Sequence, residues 1–100
     1  MSDAPAGQRV DVWLWHARLF KTRSLATRVV GGGQVRLTSA GATRRLTRAS
    51  ALVRAGDTLT LPLNRRIVSL EILGLGARRG PAAEARLLYR LIEDRASGDE

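Results

Sequence analysis

The stretch from Arg9 to Gly33, RVDVWLWHARLFKTRSLATRVVGGG, constrains this chain more than any other part of it. Its apolar residues recur at helical spacing on both sides of a basic break, Lys21-Thr22-Arg23, and three glycines end it. That pattern specifies two short helices folded into a hairpin. Val10, Trp13, Leu14 and Ala17 fall at i, i+3, i+4 and i+7, the apolar stripe of a first helix over Val10 to Leu19. Asp11, Trp15 and Arg18 share a neighbouring face. Thr22 suits the N-cap of a second helix, which buries Leu25, Ala26, Val29 and Val30 and turns Ser24, Thr27 and Arg28 outward. Gly31, Gly32 and Gly33 stop it, because glycine accepts the left-handed conformation that closes a helix.

From Gln34 to Gly74 the periodicity changes to that of short strands. Val35 and Leu37 point one way, Gln34, Arg36 and Thr38 the other. Ser39-Ala40-Gly41 is a turn into the basic segment Thr43-Arg44-Arg45-Leu46-Thr47. Gly56-Asp57 opens Thr58-Leu59-Thr60-Leu61, and Asn64-Arg65-Arg66 separates it from a strand burying Val68, Leu70 and Ile72. Pro81 then starts a helix over Ala82 to Ile92 that offers Leu87, Leu88, Leu91 and Ile92 to the core. Two helices, a run of strands and a last helix make an α+β fold. Residues 1–8 read as a flexible leader, and 93–100, which include Glu93-Asp94, as an acidic flexible tail.

A chain of 100 residues has room for one domain with a modest core, not for separate binding and catalytic units. No apolar run approaches the roughly 20 residues that cross a bilayer, and the first residues lack a signal-peptide pattern. There is no Cys, which removes thiolate chemistry and fits a cytoplasmic protein. Charge says more. Between Arg9 and Arg90 stand 16 Lys and Arg against 4 Asp and Glu. So basic a body attracts phosphates and gains affinity by releasing their counterions.

Catalysis has little to stand on. His16 is the sole histidine, the carboxylates are scattered, and Ser24 and Ser50 have no visible base partner. No strand leads into a phosphate-binding glycine motif. The expectation is no enzyme, no catalytic residue, no metal and no cofactor. The elbow offers more. Lys21, Thr22, Arg23 and Ser24 surround a helix start whose first N–H groups lack internal acceptors, a natural phosphate site. Arg18 reaches the same anion, and Arg36 extends the patch if its strand packs beside the hairpin. Trp13 belongs to the core stripe. Trp15, on the face of Asp11 and Arg18, is half-buried against the strands, or exposed enough to stack on a base or pack beneath an Arg, and His16 is a surface residue.

Arg9-Val10-Asp11, Leu14, Thr22-Arg23-Ser24 with Ala26, Gly33-x-Val35 and Gly56-Asp57 together resemble the S4 RNA-binding domain. Trp13-Leu14-Trp15, the Phe20 to Ser24 run, and Arg78-Arg79-Gly80-Pro81 through Ala83-Glu84 to Leu87-Leu88-Tyr89 narrow this to the small ribosome-associated heat-shock proteins. The resemblance covers residues 9 to 92. It implies an S4-like fold, a two-helix hairpin on a small, mostly antiparallel sheet with a C-terminal helix, the S4 unit spanning 9–74 and an extension 75–92. It also implies docking on ribosomal RNA of the large subunit, including subunits that still carry peptidyl-tRNA. The chain is expected to act as a monomer with no membrane partner. By the same resemblance Arg9, Arg18, Lys21, Thr22, Arg23 and Ser24 carry the RNA contact, with Gln34 and Arg36 at its edge. The chain departs from the pattern at Val12, where Lys is usual, and in a longer turn over Thr38-Ser39-Ala40-Gly41. Two other readings stay open: non-specific DNA and RNA binding through charge, and an accessory subunit of an RNA-modifying enzyme.

Overall fold

A computed structural model describes residues 7–96. A short strand β1 (Gln8–Arg9) leads directly into helix α1 (Val10–His16), which turns through the elbow into α2 (Arg23–Gly31). Strands β2 (Val35–Ser39), β3 (Ala42–Leu46), β4 (Leu52–Val53), β5 (Thr58–Leu63) and β6 (Arg66–Ile72) follow. Helix α3 (Ala82–Ala85), a 3₁₀ turn (Arg86–Leu88) and strand β7 (Tyr89–Ala96) complete the described chain. Five strands form one antiparallel sheet in the order β3-β2-β5-β6-β7, while β1 pairs with β4.

The expected alternation holds in the sheet. Val35, Leu37, Leu46, Leu59, Leu61, Val68, Leu70 and Ile72 are buried on one face and join Val10, Trp13, Leu14, Ala17, Phe20, Ala26 and Val30 in a single core. Trp13 is fully buried, its indole N–H donates to the Gly74 carbonyl at 2.8 Å, and Tyr89 meets its ring edge-on. Two tight hairpin turns set the register. Ala40-Gly41 and Asn64-Arg65 each place both central residues at positive φ, the handedness that matches strand twist. The turn after β2 is therefore a two-residue turn, not the longer one expected.

Several expectations need correction. Helix α1 ends at His16, three residues early, because Arg18 takes a left-handed φ of 59°. The N–H of Arg18 bonds the Trp15 carbonyl and that of Leu19 the Leu14 carbonyl, a double closure that ends the helix. Gly31 belongs to α2, and the chain turns only at Gly32 and Gly33. Leu25 is 37% exposed, since the buried stripe of α2 is Ala26 and Val30 with Val29 half-buried. His16 is buried, with Nδ1 at 2.9 Å from the Gly76 carbonyl.

The C-terminal helix is present but stops at Ala85. The stretch expected to continue it to Ile92 becomes β7 from Tyr89 on, and Leu87, Leu91 and Ile92 are exposed. The free edge of β6 overrides helical spacing: it offers backbone partners along its length, Arg90 pairs with Glu71, and Asp94 pairs with Arg66. Glu93 and Asp94 are thus strand residues. Residues 1–6 of the expected leader and 97–100 of the expected tail lie outside the described residues, while Gln8 is already in β1.

Candidate nucleic-acid interface

The elbow between α1 and α2 is built from its caps. Thr22 has extended backbone, and its Oγ1 accepts the N–H of Leu25 at 3.0 Å, so Thr22 is the N-cap that its position implied. At the open end of α2 the N–H groups of Arg23 and Ser24 have no acceptor within the helix. Lys21 and Ser24 are exposed and have no side-chain partner among the described residues. These groups are free to meet an anion.

One buried carboxylate organises the flank. Asp11 is fully buried and accepts from the Val12 N–H at 2.8 Å, the Thr27 hydroxyl at 2.9 Å, and Arg9 through both Nε and Nη2 at 3.0 Å. Arg23 approaches the same carboxylate to 3.6 Å. Burial pushes the Asp11 carboxyl up, but hydrogen bonds from Arg9 and Thr27 and the charges of Arg9 and Arg23 outweigh it and hold it below the ordinary carboxylate range. Asp11 therefore ties α1 to α2 and places two half-exposed guanidiniums side by side.

On the other flank, Arg18 donates through Nε to the Gly80 carbonyl. Arg79 caps the end of α1: its Nη1 donates to the carbonyls of Trp15 at 3.0 Å and Phe20 at 3.1 Å, and its guanidinium lies 5.4 Å from the Trp15 ring centroid. Trp15 is half-buried, beneath an Arg as one reading of its face required. Arg18, Lys21 and Arg79 rim a concavity of about 560 Å³. Gln34 and Arg36 line a second one of about 490 Å³ with Thr60 and Ile67, and Pro62 lines both.

Of the eight residues singled out, the fold therefore gathers Arg9, Arg18, Lys21, Thr22, Arg23 and Ser24 around the elbow. Gln34 and Arg36 lie past the far end of α2, roughly 13 Å along its axis. Sequence reasoning missed three features. Asp11 was read only as a residue on a helix face and as part of a motif. Arg79 was read only as part of a motif. Arg45, opposite Arg36 in the β2–β3 ladder, sets like charges face to face, which is unfavourable without an anion. Its stem lies over Gly33, where a Cβ would come within 3.2 Å of the Arg45 Cδ, and Gly33 has a φ of +77°. Arg44, Arg45 and Arg48 line a further concavity of about 480 Å³, and the basic Thr43 to Thr47 segment was its visible signal. Among the described residues no group of three or more His, Cys, Asp or Glu is placed to hold a metal, and no helix is long and apolar enough to cross a membrane.

A helical hairpin laid on a mostly antiparallel sheet, with a basic elbow at the open end of its second helix, defines an S4-like α+β protein. No family model matches the chain. It is 36% identical over 90 residues to Heat shock protein 15 of Escherichia coli K12, and 35% identical over 85 residues to the Haemophilus influenzae homolog. These alignments cover 89% and 85% of this chain but only 64% and 61% of those curated relatives. The solved structure of Vibrio cholerae Heat Shock Protein 15, described as trimeric, matches with a TM-score of 0.75 at 36% identity, covering 87% of this chain and 83% of that one. The chain belongs to the heat shock protein 15 family.

Proposed function

We propose that this protein binds RNA, docking through its elbow on ribosomal RNA of the large subunit as part of a response to heat or translational stress. The observation that carries the reading is the elbow itself. An open helix end is flanked by Arg9, Arg23 and Lys21, in a body of 16 cations against 4 acids from Arg9 to Arg90. A rigid basic hairpin reads backbone and shape, which suits structured RNA. The relatives' name supplies the stress context. In this reading a single copy docks, and it meets ribosomes in the cytoplasm. A subunit still carrying peptidyl-tRNA is the proposed physiological target.

The test is competition at physiological salt between large-subunit ribosomal RNA and duplex DNA, with sedimentation before and after translational stress. The reading expects preference for the ribosomal RNA and co-sedimentation with large subunits. Equal affinity for both nucleic acids would replace it with non-specific binding. Absence from ribosome fractions, with co-purification of a modifying enzyme, would replace it with an accessory role.

A further inference from the structure

The concavity beside the elbow is not lined as a simple phosphate site. Among the described residues, its cations, Arg18, Lys21 and Arg79, stand around Leu19, Phe20, Leu25, Pro62, Leu63 and Ala82, with Asn64 the one further polar residue. No acidic side chain among the described residues lines it. Leu25, placed by helical spacing in the core, is instead 37% exposed here, and Pro62 and Leu63 are half-buried. Phosphate alone gains nothing from an apolar floor. A ligand with a flat apolar body and an attached anion satisfies both halves.

We propose that this groove is a nucleotide subsite, taking one unpaired base of a bound RNA against Leu25, Pro62 and Leu63 while Lys21 and Arg18 hold its phosphate. The proposal rests on the RNA-binding reading and sharpens it, from a surface that follows backbone to one that also needs an unstacked base. About 560 Å³ lies within the range of small-ligand sites. A base can lie on this aliphatic floor regardless of sequence, because every base has a flat face to bury against it. The site adjoins, across Pro62, the concavity at Gln34 and Arg36, so a further cation, Arg36, stands beside its far wall.

Two polyanions separate base from phosphate: a short fluorescent oligouridylate and inorganic polyphosphate, which has no base. Each is titrated across salt with wild type, Leu25→Ser, Leu25→Phe and Lys21→Ala, after melting curves establish that each variant folds. Leu25→Ser is expected to weaken oligouridylate about fivefold with unchanged salt slope and unchanged polyphosphate affinity. Leu25→Phe, with a wider flat surface, is expected to tighten oligouridylate. Lys21→Ala is expected to weaken both and to lower the single-strand slope by about 0.7. If both Leu25 variants bind oligouridylate like wild type, or change both probes equally, the subsite is overturned while RNA binding stands. If wild type ignores oligouridylate yet binds ribosomal RNA, the subsite again falls alone. If wild type binds no RNA, the RNA reading itself fails.

Discussion

Replacing Asp11 by Asn tests how the hairpin is held together. Asn keeps the size of the side chain and an oxygen for the Val12 N–H, and its amide can donate to the Thr27 hydroxyl, which donates in turn to the Arg23 carbonyl. What it loses is charge: half of the Arg9 fork and the attraction of Arg23. Both guanidiniums are close to half exposed, at 45% and 49%, so solvent screens each pair strongly. With one charge-assisted hydrogen bond gone, the loss is about 1–2 kcal/mol, a fall in Tm of roughly 5–15 °C for a domain this size. The pH dependence carries the sign. The folded carboxyl lies below its ordinary 3.8, so its stabilisation is complete above that value and disappears as pH falls through the lower folded one. Thermal melts from neutral to acid pH should show the gap between wild type and Asp11→Asn widest at neutral pH and closing in acid. A gap that is constant with pH, or absent at neutral pH, would refute an ionised Asp11 as the tie between the helices.

Trp13→Ala should cost about 3–5 kcal/mol, since it removes a fully buried aromatic and leaves the Gly74 carbonyl unpaired; a melting curve close to wild type would contradict it. Arg18→Gly relieves a left-handed non-glycine residue but loses a hydrogen bond to Gly80, so stability should stay within about 1 kcal/mol of wild type. RNA affinity should nevertheless fall, and unchanged affinity would remove Arg18 from the interface.

The hairpin was legible because its signals are local. The Val10 to Ala17 stripe, the Thr22 cap and the glycine stop lie within a turn of the groups they act on, and strand alternation from Val35 to Ile72 is read directly from period two. The errors arise where distant partners decide. Leu87, Leu88, Leu91 and Ile92 carry helical spacing, yet β6 offers a free edge that no local pattern announces. His16 is buried by the Gly76 carbonyl, 60 residues away. Asp11 becomes a hub through Arg9, Arg23 and Thr27, of which only Arg9 is its near neighbour in sequence. The same holds at the site: the elbow cations cluster in sequence, whereas Arg79 reaches it only through the fold.

The claim that the elbow docks RNA is tested most directly by Lys21→Ala/Arg23→Ala, measured against large-subunit ribosomal RNA as a function of salt. Each lost phosphate contact should lower the log–log slope by about 0.9 on duplex regions, so the double variant should bind more weakly and with a slope shallower by nearly two units. Neither side chain is buried, so the melting curve should change little. Wild-type affinity and slope in the double variant would show that the elbow is not where this protein meets RNA.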